Sequence, residues 1–207
     1  ESEITLALET HKPRVVVIYD DSFNYLTKMC LSRMRQAALE LATYAKLKKC
    51  TVIVFSSDSA DHIEEYLSND VDYVLCGEGE ETLVELCTML LRTPEMPPSQ
   101  ITGLAYRDAD GGFIRTEKRP PIRNLDVIPF PAWDLIDVER YRTLWIERHG
   151  FFSVNISTTR GCPFHCNWCA KPLYGQVYNS RSPDQVVAEM KFLKGNINPD
   201  HLWITDD

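Results

Sequence analysis

"TVIVFSSDSADHIEEYLSNDVDYVLCGEGEETLVEL", residues 51–86, carries two strand-and-helix units back to back. Thr51-Val-Ile-Val-Phe55 is a continuous apolar run, as expected of a parallel strand covered on both faces. Asp61 with Glu64 predicts an N-terminal capping pair for a helix running through Leu67. Asp72-Tyr-Val-Leu75 is the next strand, and Leu83, Leu86, Cys87 and Leu90 return at helical spacing behind it. Upstream, Arg14-Val-Val-Val-Ile-Tyr19 repeats the strand signal. Leu26, Cys30, Met34, Ala37, Leu41 and Ala45 then recur at steps of three or four, predicting one long amphipathic helix. The order β-α-β-α-β-α implies an α/β fold, a parallel sheet covered by helices with ligands at the carboxyl ends of its strands.

Pro94, Pro97 and Pro98 close that unit. Ile101–Tyr106 and Phe113–Thr116, joined by Asp-Ala-Asp-Gly-Gly, read as a β-hairpin. The stretch from Arg119 to Asp134 is rich in proline and offers Phe130 and Trp133 for burial, so an extended strap is expected there. A second alternating unit starts with a strand over Phe151–Thr158. Ser182-Pro-Asp-Gln185 is a strong helix start, Val186, Val187, Met190 and Leu193 are its apolar stripe, and Gly195 is the expected stop. His201–Thr205 is a further strand. The expected division is 1–95, an α/β domain whose first strand is missing; 96–150, hairpin and strap; and 151–207, the start of a second α/β domain. Ile4–Glu9 looks like the tail of a helix and His201–Thr205 like a strand awaiting neighbours. The sequence is therefore expected to be an excerpt of a longer enzyme, inactive by itself.

The chain has 207 residues, is 44% hydrophobic and 25% charged, and carries a net charge of −8, the mark of ordinary globular material. That charge argues against a large phosphate-binding surface, so no nucleic-acid partner is expected. No apolar run approaches the ~20 residues that cross a bilayer, and neither membrane attachment nor secretion is expected. Seven cysteines, an odd count, disfavour a disulfide framework and point to the reducing cytoplasm. Cys30, Cys50, Cys76 and Cys87 sit among apolar residues and read as small buried hydrophobes.

Only Cys162, Cys166 and Cys169 cluster, as Cys-x3-Cys-x2-Cys on a loop that leaves a strand. Three thiolates from one loop suit three corners of a cubane iron–sulfur cluster, whose full complement is four. The open fourth position leaves one iron for a substrate or cofactor, as open metal sites do. A zinc site that recruits His165 is the competing reading, and it would make the chain a metal-binding interaction module. His165 adjoins Cys166, however, and zinc knuckles pair separated ligand couples. A redox Cys-Asn-Trp-Cys pair would leave Cys162 without a task.

Cys162-Pro-Phe-His-Cys166-Asn-Trp-Cys169 resembles the signature of the radical S-adenosylmethionine (SAM) enzymes, as do the "RSP" at Arg181–Pro183 and the "WITDD" at 203–207. The resemblance implies a [4Fe-4S] cluster on Cys162, Cys166 and Cys169 that reductively cleaves SAM. It also implies Trp168 beside the adenine, with Arg181 and Asp206 as further SAM contacts. The second domain would then be the start of a partial (β/α) barrel. The front domain, through Val71–Glu80, Thr82 and Pro-Phe-Pro-Ala-Trp-Asp134, resembles the Rossmann-like cobalamin-binding domain of one subgroup of that family. Cobalamin would then lie against Asp20, Asp21, Ser22, Phe23, Asn24, Ser56, Ser57, Gly77, Glu78, Gly79 and Glu80. The Asp-x-His-x-x-Gly motif of many corrinoid proteins is missing, so the resemblance is to the subgroup that binds cobalamin without a histidine ligand. Most such enzymes are methyltransferases acting on an unreactive carbon of a small molecule; a minority close rings or rearrange. A reductant such as flavodoxin or ferredoxin is implied as partner. A tRNA-modifying relative would carry a basic extension, and this chain is acidic.

Overall fold

The structure is a computed structural model and describes residues 2–20, 30–92, 95–164, 166 and 174–206. It divides into two compact units, Glu1–Pro121 and Ile122–Asp207.

The first unit is built on five strands in sequential order: β1 (Val15–Tyr19), β2 (Thr51–Phe55), β3 (Tyr73–Leu75), β4 (Leu104–Arg107) and β5 (Phe113–Arg115). The first three are parallel, with Tyr19 opposite Phe55 and Val54 opposite Val74; β4 and β5 add antiparallel. The hairpin expected beyond residue 95 is thus part of this sheet, held through Cys76 N–H to the Gly103 carbonyl at 2.8 Å. Helices α1 (Ser2–His11), α2 (Leu31–Leu47), α3 (Ser57–Asp61), α4 (Ile63–Leu67) and α5 (Glu80–Arg92) accompany the strands. The alternation of strand side chains makes two cores. Val52, Val54, Val74 and Ala105 pack with Leu8, Ala42, Ala45, Tyr66 and Leu67, while Ile53, Phe55 and Leu75 point the other way and are equally buried.

Several expectations change. Among the described residues β1 is the outermost strand of the sheet, and Val17 and Tyr19 stay 37% and 45% exposed instead of covered on both faces. The capping pair lies upstream of Asp61 and Glu64. Ser56 accepts from Ser59 N–H at 2.9 Å while Ser59 Oγ accepts from Ser56 N–H at 3.0 Å, and the helix over 57–67 breaks at His62. Serine at both positions closes the box as Glu or Gln normally would. Cys50 and Cys76 are buried as expected and Cys87 partly so, but Cys30 is exposed ahead of α2. The stretch of helix expected from Leu26 lies outside the described residues.

In the second unit, β6 (Ser153–Ile156) pairs in parallel with β9 (His201–Ile204), and β7 (Thr159–Arg160) pairs antiparallel with β8 (Asn179–Ser180). Helix α7 (Pro183–Phe192) starts at Ser182, whose side chain accepts from Gln185 N–H. It does not stop at Gly195: a π-helical turn, Leu193–Ile197, extends it to Asn198, left-handed at φ 49°. Phe152, Val154, Leu193 and Ile197 form the core, with Trp133 and Leu202 against them. The strap is not wholly extended. It contains two 3-10 turns, and helix α6 (Val138–His149) follows, capped by Asp137 and closed by Gly150 in the left-handed region. Its exposed Tyr141 and Leu144 blur the apolar stripe that would have revealed it.

Candidate metal centre and cofactor cradle

The cysteine loop is gathered at its two stems. Gly161, at φ 82°, precedes Cys162, and a Cβ there would lie 2.1 Å from the Val177 carbonyl oxygen. Only glycine lets the outgoing and returning chains approach so closely. The short β7–β8 ladder joins the same stems, and Arg160 lies 4.9 Å over the buried ring of Tyr174. Of the three cysteines, Cys162 is half-buried and Cys166 exposed, and both are free thiols. Cys169 and Trp168 lie outside the described residues, as does His165. These two uncommitted thiols are of the donor type that holds an iron–sulfur cluster.

Two groups hold the start of this loop. The last ladder bond between β6 and β9 runs from Thr205 N–H to the Ile156 carbonyl, at 2.9 Å. Beyond it the backbone polar groups need other partners. Asp206 Oδ1 accepts from the Thr158 and Thr159 N–H groups at 2.6 and 2.9 Å, and its Oδ2 accepts from the Thr158 hydroxyl at 2.5 Å. From the other side Arg181 donates through Nη1 to the Ser157 carbonyl at 2.9 Å, and through its own N–H to the Thr158 carbonyl at 2.9 Å. The same guanidinium pairs with Glu189 on α7, the side chains being 14% and 4% exposed, and sits 5.7 Å from the Phe130 ring. Asp126 accepts from Ser182 N–H at 2.9 Å, which holds its carboxyl below the usual range. Arg181 and Asp206, expected to meet SAM, are both engaged by the protein itself. The signal for Glu189 was its place beside Val186, Met190 and Leu193 on the apolar helix face, about two turns beyond Ser182.

In the first unit the carboxyl ends of β1, β2 and β3 bring Asp20, Ser56 and Gly77 to one edge of the sheet. Ser56 is buried, its hydroxyl used in the cap of α3, and Ser57 opens that helix. Gly77 has φ 86° with open space where a Cβ would stand, which leaves its backbone approachable. Gly79 is different: a Cβ would fall 2.8 Å from the Phe55 ring, so its lack of side chain serves packing. Glu78 is buried in the turn and Glu80 begins α5. Asp21, Ser22, Phe23 and Asn24 lie outside the described residues. Among the described residues at the strand ends, Gly77 is thus the position where the backbone itself can be approached closely.

Sequence reasoning missed what holds the β2 loop in place. Asp58 receives Arg35 Nε and Nη2 at 2.8 and 2.7 Å and the Tyr66 hydroxyl at 2.9 Å. Burial raises the Asp58 carboxyl, but these hydrogen bonds outweigh it and leave it below its usual value. Burial, then the bond to Asp58, pushes the Tyr66 phenol up. Among the described residues no three His, Cys, Asp or Glu side chains form a further metal site, and no helix is long and apolar enough to cross a membrane.

No family model matches the chain. An uncharacterized methyltransferase of Pyrococcus horikoshii is 34% identical over 139 residues, 66% of this chain and 28% of that protein. The anaerobic magnesium-protoporphyrin IX monomethyl ester cyclase of Synechocystis is 29% identical over 134 residues, 64% of this chain and 25% of that protein. The chain thus spans about a quarter of the length of these relatives. Among solved structures, the cobalamin-dependent SAM radical enzyme OxsB with aqua-cobalamin bound superimposes at TM-score 0.75 and 16% identity over 100% of this chain and 27% of that one. The radical SAM methyltransferase TsrM of Kitasatospora setae, with cobalamin and a [4Fe-4S] cluster bound, does so at 0.70 and 17% over 98% and 40%. The likeness read from the cysteine loop and the front domain is borne out in the fold.

Proposed function

We propose that this chain, which has the fold of the cobalamin-dependent radical SAM enzymes and sequence relatives among methyltransferases and a cyclase, is the cofactor-holding part of such an enzyme. Cys162, Cys166 and Cys169 hold the cluster, Trp168 lies beside SAM, and the cradle from Asp20 through Glu80 takes cobalamin. The observation that carries this is a pair of free thiols on a loop whose stems are pinned to the carboxyl end of a parallel strand pair. When bound, the cluster supplies the electron that cleaves SAM, and cobalamin supplies a transferable methyl group. The protein's own work is positioning and exclusion of water. The reaction is methylation of an unactivated carbon in a small molecule, with a flavodoxin- or ferredoxin-type reductant, in the cytoplasm.

The cyclase relative favours ring closure as a second reading, separable by whether the product has gained a methyl group. The test is anaerobic reconstitution of the full-length protein with iron and sulfide. The expected result is about four irons and four sulfides per chain, a broad band near ~400 nm, and an electron paramagnetic resonance (EPR) signal that changes on adding SAM. A colourless protein with one zinc would overturn the reading.

A further inference from the structure

The three hydrogen bonds at Asp206 give it a task other than contacting SAM. We propose that Asp206 is a positioning residue for the cluster, holding the two residues from which the cysteine loop departs so that its thiols converge. This rests on the functional reading above.

Strand β6 leaves its ladder after Ile156, and the N–H groups of Thr158 and Thr159 both end on Asp206 Oδ1. Asp206 lies two residues beyond the end of β9, the strand that pairs with β6. One side chain therefore ties the exit of one strand to the exit of its neighbour. The carbonyls of Ser157 and Thr158 accept from Arg181. The backbone donors of this stretch end on Asp206 and its acceptors on Arg181, which fixes the peptide planes at 157–159. Thr159 is buried, and only Arg160 and Gly161 separate it from Cys162. A rotation at these planes is passed directly to the first thiol.

The bonds need an acceptor and a geometry, not a negative charge. An asparagine amide can satisfy all of them, its oxygen accepting both N–H groups while its NH2 donates to the Thr158 hydroxyl. A SAM contact that depended on the carboxylate would not survive that change. Asp206 is exposed and lies outside the core, so D206A is expected to keep the fold. The experiment uses the full-length protein and the D206A and D206N variants, reconstituted anaerobically. It measures the rate of iron loss to a chelator, the EPR response to SAM, and hydrogen exchange at the Thr158 and Thr159 amides without cluster.

D206A is expected to lose amide protection and to release iron about 10-fold faster, in the range found for outer-shell partners of metal ligands. D206N is expected to match the parent in protection, iron retention and SAM response. Equal iron retention in D206A and the parent overturns the proposal, as does a D206N that keeps its cluster and loses the SAM response. A parent protein that never takes up iron and sulfide overturns the functional reading itself.

Discussion

Gly161→Ala tests the pinned loop most directly. An added Cβ would lie 2.1 Å from the Val177 carbonyl oxygen, where no real Cβ comes closer than 3.0 Å, so the stems must part by about 1 Å. The left-handed backbone at φ 82° costs alanine about 1–2 kcal/mol. Forcing a contact into a packed site costs about 1–3 kcal/mol more. The sum, about 2–5 kcal/mol, is a large share of the ~5–15 kcal/mol that holds a domain together. Gly111→Ala is the control: the same left-handed backbone, φ 84°, with nothing within 4 Å, so that only the backbone cost of about 1–2 kcal/mol applies. Urea unfolding of both variants, followed by iron and sulfide analysis after reconstitution, makes the comparison. G161A should lose both stability and cluster, and G111A only a little stability. If the two variants unfold together and bind iron equally, the close approach at Val177 does not organise the loop.

Other expectations follow from the same contacts. Truncating either member of the largely buried Arg181–Glu189 pair should destabilise the second unit by about 3 kcal/mol, because the partner is left without its counter-charge. Replacing both by Met and Leu should cost less than either single truncation; additive losses in a double-mutant cycle would contradict the pairing. Cys162→Ala and Cys166→Ala should each abolish cluster assembly yet shift apo stability by no more than ~0.5 kcal/mol, since neither thiol is deeply buried, and calorimetry of the apo forms checks this. Asp58→Ala should destabilise the first unit at neutral pH. Asp58 titrates below its ordinary 3.8 when folded, so its contribution is complete above that value and disappears as pH falls through the folded pKa. The gap between parent and D58A melting temperatures should therefore narrow in acid, and a gap independent of pH would remove Arg35 and Tyr66 as the cause. Tyr66, whose phenol is raised, works in the opposite direction: its share holds below 10.0 and is lost in strong alkali.

The linear sequence determined the alternating strands and helices, because burial on both faces leaves unbroken apolar runs and amphipathic helices leave steps of three and four. It also determined the donor set of the cysteine loop, since three thiols within eight residues need no folding to be near one another. Tertiary structure decided what depends on partners distant along the chain. Strand β1 became an edge because no strand flanks it among the described residues, a fact its own apolar run cannot encode. Asp206 and Arg181 became engaged because strand pairing brings Thr158, 48 residues before Asp206, against the end of β9. Ser59 closed the cap of α3 where the expected pair lay downstream, because a hydroxyl reaches the same N–H once the turn has formed. Residue type announces which chemistry is available; only the folded chain decides which of those groups the protein spends on holding itself together.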